Sequence, residues 1–411
     1  MKSRVLTLPA TALLLAPALA ACGGPDAAEA GADATPHGYV EGAQEESEAQ
    51  TRLVYAAADG DRPRVLDLTT EQTVPLGPRR DETVAALAGD GRFVYVAPEG
   101  GRGLRVLDSG AWRVEHGDHA HYYRADPRPV GSVRGDSPGR VAGSGAGAAV
   151  VFEAAGEVAV LSREGLDDGE VDQTARIDVG PHAGVAVPYR EHVVASVAAD
   201  GAGRADAVAV FTPDGERTSE IDVRCPEVSG HALARTGVLL GCADGVLLVT
   251  EDDGTFSGEK IPYPDGTPPA DRLSTLHVRP GSNSVVGAAG TSGVWTIDPS
   301  ARTLALVRTS GGPVAVASPG DDRTLLVLRS DGVLESRDLA TGRVLAERRV
   351  LTAPVDPRDG PAPVVEVDTT RAYVNDAAGM RVVELDYADD LRVARTFATE
   401  VAPDFMTETG R

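Results

Sequence analysis

From residue 51 onward the chain repeats one short unit eight times. The units are RLVYAAADGDRPRVLDL, RFVYVAPEGGRGLRVLD, AAVVFEAAGEVAVLS, HVVASVAADGAGRADAVAVFT, GVLLGCADGVLLVT, NSVVGAAGTSGVWTID, RTLLVLRSDGVLESRDL and RAYVNDAAGMRVVELDY. Each joins two apolar, β-branched or Leu-rich runs through a Gly/Asp turn, the signature of a β-hairpin. Their starts recur about every 40–57 residues, the period of a propeller blade. No long apolar pattern of helical period interrupts them.

A run of small residues precedes seven of the eight hairpins: ETVAALA, RVAGSGAGA, HAGVAV, GHALA, STLHV, PVAVAS and PVVEV. Small side chains suit an innermost strand, where blades crowd together at an axis. The first hairpin lacks such a run, and the final VAPDFMTE can supply it by pairing the two ends of the chain. The expected fold is therefore all-β, a single β-propeller over residues 51–411 with eight blades. Seven blades is the alternative, if one weak unit is a loop.

The N-terminus lies outside that repeat. Lys2 and Arg4 precede an apolar run, Leu6 to Ala21, too short and too broken by proline to span a bilayer as a helix. It ends Leu19-Ala20-Ala21-Cys22, which resembles the lipobox of bacterial lipoproteins. On that reading residues 1–21 are a signal peptide and Cys22 carries the lipid. Residues 22–50, rich in Ala, Gly, Glu and Asp, form an acidic flexible tether. The protein is expected on the outer face of the cell membrane, as a monomer held by its lipid alone. Cys225 and Cys242, the remaining cysteines, are expected to form a disulfide there, with a pair of zinc thiolates as the alternative. A formal net charge of −23 excludes a nucleic-acid binder, which needs a basic face.

The eight histidines are unevenly placed, with three of them in Glu115–Tyr123, EHGDHAHYY. His119 and His121 are two residues apart, so in extended backbone they project to one side. His182 opens HAGVAV, His231 falls in GHALA and His277 in STLHV, each at or near the start of an inner strand. Strand starts share one mouth of a propeller. The EHGDHAHYY segment lies in the longest connection, which leads into an inner strand, and so is expected at that same mouth. Zinc takes imidazole nitrogen and prefers four ligands. The expected set is His119, His121, His182 and His231. His277 is a spare or receiving ligand, and His116 and Asp118 are supporting or exchange ligands. His192 is read as structural, and Tyr122 and Tyr123 as packing. Imidazole also suits copper and nickel, so the residues alone do not select zinc.

Two catalytic look-alikes fail on mechanism. GDSPG, Gly135 to Gly139, matches a nucleophile elbow, but Pro138 has no N–H to build the oxyanion hole. GSGAGA, Gly143 to Ala148, leads into a strand, so no helix terminus meets a phosphate.

HGYVEGA (His37 to Ala43), EHGDHAHYYRA, PHAGVAV and the Cys225–Cys242 segment together resemble the AztD-type zinc metallochaperones. That resemblance implies a non-enzymatic β-propeller that binds Zn2+ and passes it to the solute-binding protein of a zinc ABC transporter. It also implies a His-rich N-terminal segment. Here that segment holds His37 alone among Asp26, Glu29, Asp33 and an acidic run from Glu41 to Glu48. Two other classes fit a propeller: a metal-dependent hydrolase or lactonase, which needs an open coordination position and a carboxylate base, and a non-catalytic docking platform in which the histidines are incidental.

Overall fold

Strand Arg52–Ala56 shows how this sequence builds its layers. All five residues are buried. Successive side chains of a strand point to opposite faces. Leu53 and Tyr55 accordingly join an apolar layer with Tyr373, Val382 and Phe397, while Val54 joins another with Val94, Val96 and Leu107. A strand buried on both faces reads as an unbroken apolar run, the pattern that marked each repeat.

The computed structural model describes residues 38–80, 82–116, 119–198 and 205–411. Residues 1–37, which include the expected signal peptide, Cys22 and His37, lie outside them. Nine antiparallel sheets form among the described residues, and eight of them follow the repeats. The second sheet is typical: Val84–Gly89, Phe93–Pro98, Arg102–Asp108 and Arg128–Asp136 lie in order from the inner to the outer edge. Seven of the eight sequence-predicted hairpins form the two middle strands of a four-stranded sheet, with an inner strand paired along one edge. In the sixth sheet the inner run shrinks to one bridge, His277 to Val286. The first sheet takes its inner strand from the far end of the chain, Phe405–Thr409, which pairs antiparallel with Arg52–Ala56. One apolar layer lies between each sheet and the next, and another between the eighth sheet and the first.

The ninth sheet is an insertion. After Asp108 the chain makes a hairpin, Ala111–His116 and His119–Arg124, before returning as the outer strand Arg128–Asp136. Gln44–Glu46 adds a third strand along its free edge. The segment expected to be tether is therefore partly built into the fold, from residue 38 onward.

Cys225 and Cys242 are bonded across 17 residues, buried in the layer between the fourth and fifth sheets. Closing a loop of that length stabilises by about 3 kcal/mol on the chain-entropy account. The Cys225→Ala/Cys242→Ala variant is expected to unfold at a lower guanidinium midpoint with an unchanged native circular dichroism spectrum. An equal midpoint would show that the bond adds nothing to stability.

Candidate metal-handling site

The base of the inserted hairpin is packed into the fold. Ala111, Trp112 and Tyr123 are buried. The Trp112 and Tyr123 rings stack with centroids 5.3 Å apart. Trp112 Nε1 donates to the Gly38 carbonyl at 3.1 Å. The Arg92 guanidinium sits 3.7 Å from the Trp112 ring centre and is itself fixed by Asp108 at 2.8 Å. Cation–π contact and a buried ion pair thus seat the hairpin on the second sheet. Tyr123 serves the packing role expected of it.

Near the tip, His119 and His121 share a face of their strand, and their Nε2 atoms stand 3.2 Å apart. Two nitrogens each about 2.0–2.1 Å from a tetrahedral zinc stand about 3.3 Å apart. The spacing therefore suits two ligands of one ion. His121 Nδ1 meets Glu45 Oε1 at 2.6 Å. A carboxylate there fixes the proton on Nδ1 and leaves Nε2 with its lone pair for a metal or for the His119 N–H. Register explains the contact: Glu45 pairs with Tyr123, so it sits diagonally across from His121. The sequence reading missed Glu45 because it treated the acidic run as a solvated tether. The signal available was an acidic residue in a short segment able to pair with a histidine strand. His116 pairs with His119 through its backbone. The His116 side chain, Asp118 and His37 lie outside the described residues.

The other histidines stand elsewhere, which corrects the expected four-ligand cluster. In an antiparallel sheet the first and third strands end at the same edge. The hairpin follows a third strand, so it lies where inner strands finish, whereas His182 precedes Ala186–Tyr189 and lies where they begin. Among the described residues no three His, Cys, Asp or Glu side chains gather closely enough to hold one metal ion. His182 is buried, with Nδ1 2.7 Å from the Gly180 carbonyl and Nε2 2.8 Å from Ser196 Oγ. Both ring nitrogens are thus engaged in holding the turn ahead of the fourth sheet. His192 is structural, as expected, with Nδ1 2.9 Å from the Arg190 carbonyl and its ring against Phe256.

His231 and His277 line a shared cavity. Its wall takes residues from the inner edges of all eight sheets, including Ala88, Val141, Val187, Ala317, Val365 and Thr407. Burial, and then the Arg140 guanidinium, push the His231 imidazole down to about 4. Burial lowers His277 as well, against the opposing pull of Glu366. Both rings are thereby kept neutral at neutral pH.

The chain is thus all-β and propeller-like, with inner strands around a histidine-bearing cavity and two further imidazoles close together on an inserted hairpin. No protein-family model matches the chain. The zinc chaperone AztD of Citrobacter koseri is 27% identical over 293 residues, covering 69% of this chain and 68% of its own. The crystal structure of Citrobacter koseri AztD superposes with a TM-score of 0.76 at 22% identity, over 88% of this chain and 98% of the other. Apo AztD from the same organism superposes with a TM-score of 0.74 at 21% identity, over the same shares. The chain is AztD-like in sequence and in fold, and the likeness is to a zinc chaperone rather than to an enzyme.

Proposed function

We propose that the protein is an extracytoplasmic zinc carrier whose exposed hairpin loads the ion and hands it to the solute-binding protein of a zinc ABC transporter. The observation that carries this reading is the His119–His121 pair, set at a two-ligand spacing and oriented by Glu45. The likeness to a zinc chaperone supports zinc over other imidazole-binding metals. The eight sheets are the blades of one closed propeller, with Phe405–Thr409 joining the ends. Two imidazoles supply half of a tetrahedral set, and His116 and Asp118 at the hairpin turn are the nearest candidates in sequence for the rest. His231 and His277 belong to the interior and take no part in this loading step.

A carrier must release what it binds. A site near a hairpin tip opens at lower cost than one inside the propeller, because local opening leaves the core intact. A partner's ligands can then replace the hairpin's one at a time. The Cys225–Cys242 disulfide supports an oxidising compartment, in keeping with export and a lipid at Cys22.

The direct test is transfer. Zinc-loaded protein, mixed with the apo solute-binding protein of a zinc ABC transporter, is expected to pass the ion faster than it loses it to an equal concentration of chelator. Transfer no faster than free release would reject the carrier reading. The Glu45→Ala variant is expected to bind zinc about 10–100-fold more weakly, the usual effect of removing a carboxylate that orients a ligating histidine. Unchanged affinity in chelator competition would show that Glu45 does not orient the ligand.

A further inference from the structure

Four rings stand on one face of the inserted hairpin. His119, His121 and Tyr123 alternate along one strand, and Trp112 lies directly opposite Tyr123 on the other. His119 meets His121 edge-on, with centroids 4.9 Å apart and planes at 68°. The His121 ring lies nearly parallel to Tyr123, at 6.3 Å and 19°, and Tyr123 to Trp112, at 5.3 Å and 23°. Both separations fall within the range of offset stacking, about 4.5–7 Å. The row runs from solvent into the fold. His119 is exposed and His121 half-buried, whereas Tyr123 is 0% exposed and Trp112 3%. Over Trp112 lies the Arg92 guanidinium, held by Asp108 at 2.8 Å and by Asp167 at 2.9 Å. The inner end of the stack is therefore fixed.

A histidine side chain turns about two bonds, and two contacts restrain it here. Glu45 meets Nδ1 of His121 at 2.6 Å and holds the ring by its edge. Tyr123 holds it by its face. Register makes Tyr123 the hub, since it pairs with Trp112 on one side and with Glu45 on the other. We propose that Tyr123 is a positioning residue for zinc loading, keeping the His121 ring in its ligating orientation before the ion arrives. Resting on the hairpin reading above, this role lets packing at the hairpin's base set the affinity at its tip. Immobilising a free side chain on binding weakens association by about 2–10-fold, and a ring already stacked is spared that loss.

Tyr123→Leu keeps an apolar side chain against Trp112 but removes the ring face. It is expected to bind zinc about 2–10-fold more weakly in chelator competition, and Tyr123→Phe, which restores the face, to recover that loss. Circular dichroism melts confirm that both variants fold. Packing alone would move the melting temperature and leave the affinity unchanged. A second measurement needs no change at Tyr123. Protons above an aromatic face are shielded by its π electrons. In the metal-free chain the His121 ring signals, assigned by their loss in His121→Ala, are therefore expected upfield of those of an exposed histidine. Unshifted His121 signals, full zinc affinity in folded Tyr123→Leu, or an equal loss in Tyr123→Phe would each overturn the proposal. If His119→Ala/His121→Ala loses zinc while Tyr123→Leu does not, the hairpin remains the metal site and only the positioning role falls.

Discussion

Deleting residues 405–411 is expected to leave a chain that is recovered mainly as aggregate, with no cooperative thermal transition in whatever stays soluble. The deleted strand pairs with all five residues of Arg52–Ala56. Its loss removes a five-residue ladder whose bonds each contribute about 0.5–1.5 kcal/mol net. Met406 is 3% exposed and packs in the layer with Leu53 and Tyr55, so its burial adds about 2 kcal/mol. The Arg411 contacts to Glu366 at 3.2 Å and Glu408 at 2.6 Å go as well. Together these approach the whole stability of an ordinary domain, about 5–15 kcal/mol. The deletion also uncovers Leu53, Val54 and Tyr55 as a bare apolar edge, a ready template for pairing with another chain. A truncated protein that melts cooperatively within a few degrees of the full chain would show that the first sheet stands without this strand.

The repeat was legible because strands buried on both faces concentrate apolar residues and their turns require Gly or Asp. VLRSDGVLESRD shows this in the seventh sheet, where Asp331 accepts from the Val333 N–H to close the turn. The inner strands were legible for a steric reason. Gly143 in the third sheet leaves no room for a side chain, since a Cβ there would meet Asp90. Outer strands carry no such signal. Arg128–Asp136 buries only Val133 of its nine residues, so nothing in RPVGSVRGD announces a strand. That single omission misplaced the histidine hairpin. Without an outer strand after it, the EHGDHAHYY segment seemed to lead straight into the third inner strand and so to lie beside His182 and His231. With Arg128–Asp136 in place, the same segment joins a third strand to a fourth and lies at the opposite end. The two-residue spacing of His119 and His121 survives that error, because it depends only on local strand geometry.

Replacing His119 and His121 together by alanine is expected to lower zinc affinity by about a hundredfold or more while leaving the melting temperature unchanged, since removing even a supporting residue costs about 10–100-fold. The reason for the large effect is that the pair supplies both imidazoles available on one strand face, with Nε2 atoms 3.2 Å apart. The reason for the unchanged stability is that neither ring belongs to an apolar layer, whereas Trp112 and Tyr123, which seat the hairpin, are untouched. The single variants separate two accounts of the same loss. If His121 is the ligand oriented by Glu45, adding Glu45→Ala to His121→Ala lowers affinity no further, because the carboxylate then has no ring to orient. If Glu45 instead acts as a free negative charge that attracts the cation, the two losses add. Chelator competition at two salt concentrations reads both outcomes, since attraction at a distance weakens with salt and a fixed hydrogen bond does not. Full zinc affinity in the folded double variant would remove the hairpin from the metal site.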